Sequence, residues 1–91
     1  MISQGKLIGF IATVNPAQAK SFYRDTLGLR LISEDQFAIA FDANGVMLRV
    51  AIVPKHIIAP YTVLGWQVDD IHSTVATLAS NGVRFECFAG I

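Results

Sequence analysis

The sequence predicts an α+β domain made of a β-α-β-β-β unit and a second, shorter β-α-β unit. Three observations predict it. Short apolar runs alternate with stretches of helical spacing, Asn15-Pro16 and Asn44-Gly45 punctuate the first unit, and the pattern restarts after Pro60. Laid over itself, the chain sets Val14 against Val68, Asn15 against Asp69, Gly28 against Gly82, and Leu29-Arg30-Leu31 against Val83-Arg84-Phe85, with Phe10 two positions from Trp66. Caps, stops and strands that match at one offset are the mark of an internal duplication.

Leu7 to Val14 reads as a strand that is apolar on both faces and is therefore expected to be central. Asn15 suits a helix N-cap, because its side-chain oxygen can accept from a free amide of the first turn. Pro16 suits the first helical position, and Gln18 can complete a capping box. Ala19, Phe22, Tyr23 and Leu27 then form one apolar stripe, which Gly28 ends. Leu29 to Glu34 and Phe37 to Asp42 are the next strands, joined by a polar turn. Asn44-Gly45 favours positive backbone φ and hence a tight hairpin into Val46 to Val53. Pro54 and Pro60 bracket a loop. Tyr61 to Val68 is expected as a strand, Asp69-Asp70 as a helix start, and Ile71, Val75, Leu78 and Ala79 as its apolar stripe. Asn81-Gly82 stops that helix, and Val83 to Phe88 is expected as a strand. The whole, residues 1–91, is read as one domain, with 1–54 the first module and 61–91 a partial second module that stops two strands short of its twin.

Ninety-one residues suffice for one domain. Hydrophobic residues make up 53% and charged residues 15%, against usual values of about 45–50% and about 25%. That is more apolar surface than one small core hides, so a pocket or a subunit interface is expected. Lysine plus arginine equal aspartate plus glutamate at seven each, with no basic run, which argues against a nucleic-acid groove. The single cysteine, Cys87, leaves no partner for an intramolecular disulfide, and no apolar run is long enough to span a bilayer. A cytoplasmic protein without membrane attachment is the expectation.

Ser21-Phe22-Tyr23-Arg24-Asp25-Thr26-Leu27-Gly28-Leu29, after a strand ending Thr13-Val14, resembles the opening helix of the vicinal oxygen chelate (glyoxalase/bleomycin resistance/dioxygenase) superfamily. Gly65-Trp66-Gln67-Val68-Asp69-Asp70 resembles that family's second-module opening, and Val75 to Phe85 the helix and strand that follow. The resemblance implies paired βαβββ modules around a cupped half-barrel that holds a ligand, often through a metal. The family's ligand positions fall here on Gly9, on Val63 and near Arg49, and the last would lie beyond Ile91. Glycine and valine offer no donor and arginine repels a cation, so no metal and no cofactor are expected.

Within Val46 to Val53, Val46, Leu48, Val50 and Ile52 alternate onto one face, assigned to the helix-covered core. Met47, Arg49, Ala51 and Val53 fall on the other, which the resemblance makes the cup. Arg49 there either pairs with a ligand carboxylate or phosphate, or snorkels to water or pairs with Glu86 or Asp42. Thr13 and Gln67 are placed on the cup face with Gly9, Gly65 and Val63, as sources of neutral hydrogen bonds. His56, beside Lys55, is a candidate for attracting an anion at a pocket mouth, or else an ordinary exposed histidine, as is His72. Phe10 and Trp66 are assigned to core packing and Cys87 to a buried strand position.

No nucleophile–base set accompanies the serines, and no Gly-rich phosphate loop follows a strand. The leading expectation is a metal-free module binding a small, partly apolar and anionic molecule. The ligand-binding candidates are Arg49, Gln67, Thr13, Met47 and His56. A glyoxalase- or dioxygenase-like enzyme using ligands from other positions is the alternative, and an inactive shortened family member is a third. An uncovered sheet edge with free amides leads to the expectation of a homodimer.

Overall fold

The computed structural model describes residues 1–85. After a short 3₁₀ turn at Ile2–Gln4 come β1 (Ile8–Thr13), α1 (Pro16–Lys20) continuing as a π-helix over Ser21–Thr26, β2 (Arg30–Glu34), β3 (Ala38–Ala43), β4 (Val46–Ile52) and α2 (Ile71–Ser80). The four strands form one sheet in the order β1-β4-β3-β2, with β1 parallel to β4 and the other two pairs antiparallel. This is the expected β-α-β-β-β arrangement. Among the described residues no helix is long and apolar enough to cross a membrane.

The local signals act as their chemistry requires. Asn15 accepts from the Gln18 amide at 3.1 Å and Pro16 opens the helix. The reciprocal half of the capping box is replaced, because the Asn15 amide donates to the Thr13 Oγ1 at 3.1 Å. At the hairpin, Asn44 and Gly45 have φ of 51° and 90°, the left-handed geometry that a two-residue turn needs. The Asp42 Oδ1 accepts from the Gly45 amide and pins that turn. The polar turn between β2 and β3 is held the same way: the Asp35 Oδ1 accepts from the Phe37 and Ala38 amides at 2.7 and 2.9 Å.

The helix after Asn15 departs from α geometry. The Leu27 amide donates to the Phe22 carbonyl, five residues back, and the wider turn carries Phe22 off the apolar stripe, leaving it 38% exposed. Left-handed Gly28 stands thirteen positions after the cap Asn15, and left-handed Gly82 twelve positions after the cap Asp70. The π winding accommodates the additional residue. The second helix accordingly begins one position later than the repeat predicts, with Asp70 rather than Asp69 accepting from the Ser73 amide.

One face of the sheet makes the core. Ile39, Phe41, Leu48 and Val50 are buried against Ala19 of the helix, with Tyr23, Leu29, Leu31 and Ile11 packed around them. Tyr23 lies 5.7 Å from Phe41, ring centre to ring centre, and meets Phe22 edge-on at 5.1 Å. An ion pair, Lys20 Nζ to Glu34 Oε1 at 2.6 Å, ties α1 to β2 across this layer.

Three expectations are corrected. β1 is an edge strand rather than a central one, since among the described residues its outer side carries no partner. Residues 61–68 form no strand: a strand exists by pairing, and they pair with none of the described strands. Val83 to Phe85 likewise carry no strand, while Glu86, Cys87 and Phe88 lie outside the described residues.

Candidate functional site: an arginine on the open face of the sheet

Residues paired directly across a ladder share a face, so the register assigns the faces. Leu48 and Val50 are buried under the helix, which puts Met47, Arg49 and Ala51 on the opposite, open face, as expected. Register extends that face to Ile8, Phe10 and Ala12 on β1 and to Ala38, Ala40 and Asp42 on β3. Arg49 therefore stands at its centre, with Phe10 as its partner on one side and Ala40 on the other. Alanines make up much of this face, and Ala38 and Ala40 on β3 are buried, at 5% and 2% exposure.

Thr13 does not join this site. It pairs with Ile52 on the helix-covered face, and its hydroxyl donates to the Asn15 carbonyl at the head of the helix. Gly9 is on that face too: a Cβ there would meet the Leu48 Cδ1 at 3.6 Å. The position expected to correspond to a ligand therefore points into the core, and the residues of β1 that reach the open face are Ile8, Phe10 and Ala12. Phe10, expected in the core, is 66% exposed on the Arg49 face. Trp66 is 49% exposed rather than buried. Both parities of β1 are apolar, so alternation could not have assigned its face; only the register with β4 does.

Besides a cavity of about 250 Å³ that Thr13 lines with Gln18, Phe22 and Tyr23 on the helix side, two further cavities border the sheet among the described residues. One, of about 530 Å³, runs past the outer edge of β1 and is lined by Phe10, Ala12, Ala51, His56 and Val63, with Leu64 and Tyr23 at its inner side. His56 is thus brought beside the open face, exposed, as a polar group in an otherwise apolar lining. The other, of about 370 Å³, holds Gln67 with Trp66, Leu7, Leu48 and Met47 at the opposite end of β1. Gln67 and Met47 meet there, apart from the Phe10–His56 cavity. His72 lies exposed in the first turn of α2.

The charges on and near the open face are unequal in their commitments. Asp42 accepts from the Gly45 amide and lies 3.9 Å from the Arg30 guanidinium. Arg49 has no ion pair within 4.0 Å among the described residues. The Asp35 carboxyl is held below the usual carboxylate range by the Phe37 and Ala38 amides, with a smaller contribution from the Arg49 charge. Burial against the core raises the Tyr23 hydroxyl above its ordinary value.

Among the described residues no three histidine, cysteine or acidic side chains come together at ligand spacing. The side chains that β1 and β4 present to the open face are hydrocarbon, a thioether and a guanidinium. That donor set does not fit a chelated divalent cation.

The arrangement has relatives. The sequence model of the Glyoxalase/Bleomycin resistance protein/Dioxygenase superfamily matches residues 7–87. The chain is similar to a crystal structure of a glyoxalase/bleomycin resistance protein/dioxygenase from Alicyclobacillus acidocaldarius, at 18% identity and a TM-score of 0.70, covering 97% of this chain and 75% of that one. It is similar also to a glyoxalase family protein from Enterococcus faecalis, at 18% identity and a TM-score of 0.68, covering 99% and 86%. At that identity these structures speak for the fold alone. No curated protein matches the chain. A family match over nearly the whole sequence and a shared sheet agree: this chain belongs to the glyoxalase/bleomycin resistance protein/dioxygenase superfamily.

Proposed function

We propose that this protein binds a small, partly apolar carboxylate on the open face of its sheet, without a metal, and that Arg49 holds the anion. One observation carries the reading: Arg49 lies between Phe10 and Ala40 across the two ladders on the open face and has no acidic partner within 4.0 Å among the described residues. A guanidinium in such a place has donors to spare, and a carboxylate matches them bidentately. Met47 and Ala51 flank Arg49 along β4, and His56 lines the adjoining cavity. Calorimetric titration with phenylacetate tests this. Millimolar or tighter binding is expected for the protein and its loss for Arg49→Leu; undiminished binding by the variant removes Arg49 from the site.

The same reading includes a second copy of the chain. Leu7, Ile57, Ile58 and Val63 are all exposed, and a second copy seated on them would take that apolar surface out of water. Sedimentation at micromolar concentration should give a dimer, and a well-folded monomer contradicts it. A cytoplasmic setting belongs to this reading, supported by the single cysteine.

A further inference from the structure

Phe10 is the direct ladder partner of Arg49, on the same face, and its ring is 66% exposed. Nothing in the core needs that ring: the buried cluster is built from Ala19, Ile39, Phe41, Leu48 and Val50. Neighbouring strands lie about 4.8 Å apart, so the backbone positions of Phe10 and of Arg49, which has no ion pair within 4.0 Å among the described residues, are one strand spacing apart on the same face. Phe10 also lines the cavity of about 530 Å³, together with Ala12, Ala51, Val63 and His56. Resting on the anion-binding reading above, we infer that the carboxylate taken by this site is aromatic. Its carboxyl pairs with Arg49 and its ring packs on Phe10 at the cavity mouth.

The physical basis is the division of labour between the two partners. A guanidinium accepts any carboxylate alike, and small alanine side chains select no shape. A phenyl ring distinguishes an aromatic ligand from a saturated one, because offset or edge-on ring contacts add to what the buried area gives. The expected preference is modest, about three- to tenfold, the size of one such contact. Room is not limiting, since the cavity is within the range that takes a small organic acid.

The test compares phenylacetate with cyclohexylacetate, which match in carbon count and charge, against the wild-type chain and the Phe10→Leu and Arg49→Leu variants. The exposure of Phe10 lets the leucine variant fold, and circular dichroism checks that both variants do. Phenylacetate should bind three- to tenfold more tightly than cyclohexylacetate, Phe10→Leu should erase the difference, and Arg49→Leu should abolish binding of both. Equal affinity for the two acids, lost together in Arg49→Leu, overturns the aromatic preference and leaves the anion site standing. A preference that survives in Phe10→Leu overturns the ring contact. Failure of the wild-type chain to bind either acid defeats the anion site itself, and the aromatic preference with it.

Discussion

Phe10 and Arg49 face each other across the parallel β1–β4 ladder and project from the side of the sheet that the helix does not cover. Phe41 and Leu48, paired across the next ladder, project from the other side and are buried to 0% and 2% exposure. At these two pairs the faces of the sheet thus differ sharply in burial, with Phe10 66% exposed and Phe41 fully buried.

The contrast between the two phenylalanines is measurable. Phe41→Ala leaves a void at the centre of the core and should cost about 3–5 kcal/mol. Phe10→Ala removes a mostly exposed ring and should change stability by no more than about 0.5 kcal/mol. Urea denaturation of both variants, with unchanged slope for Phe10→Ala, checks the assignment of faces.

Asn15 joins β1 to the helix through two bonds, accepting from the Gln18 amide and donating to the Thr13 hydroxyl. Asn15→Ala removes the acceptor for a first-turn amide and should lower stability by about 1 kcal/mol. Asn15→Asp, which retains a cap oxygen, should recover most of the loss in the same denaturation experiment.

The hairpin between β3 and β4 depends on Gly45 at φ 90°. No heavy atom lies within 4 Å of where a Cβ would stand, so any cost of Gly45→Ala comes from the backbone and not from crowding. A left-handed alanine is disfavoured by about 1–2 kcal/mol. The variant should lose about that much, while Asn at the same position, better tolerated in that conformation, should lose less.

Asp35 gives the chain an acid-sensitive turn. Its carboxylate accepts from the Phe37 and Ala38 amides, which depress its folded-state pKa below the unfolded value. A depressed acid contributes stability that is fully present above the unfolded pKa, about 3.9, and is lost as pH falls through the lower folded value. Stability should therefore fall on acidification below about pH 4, and Asp35→Asn should make that limb shallower. Asp25 is also held below the usual range, by Arg24 beside it. Sequence neighbours stay close in the unfolded chain, so Asp25→Asn should alter the acid limb little. Thermal melts between pH 3 and pH 6 distinguish the two.

What the sequence made legible is what short-range chemistry decides. Asn15-Pro16, Gly28 and Asn44-Gly45 act through their own backbone preferences, and the alternation in β4 reported its two faces because Arg49 interrupts one of them. β1 gave no such report: Leu7, Gly9 and Ile11 are as apolar as Ile8, Phe10 and Ala12, so the face of Thr13 and Phe10 followed only from pairing with β4. Residues 61–68 have strand-forming side chains but no ladder among the described residues, and their Leu64 packs on the core while Val63 and Trp66 stay exposed. Arg49 was found because charge within an apolar strand is conspicuous; Phe10, one more apolar residue among many, was not.

The proposed carboxylate site is the open face of the sheet, centred on Arg49. Amide chemical-shift mapping during a phenylacetate titration examines it directly. Saturable shifts concentrated at Phe10, Ala40, Arg49 and Ala51 are predicted, and shifts confined to the helix-covered side or to residues remote from β1 and β4 would contradict it.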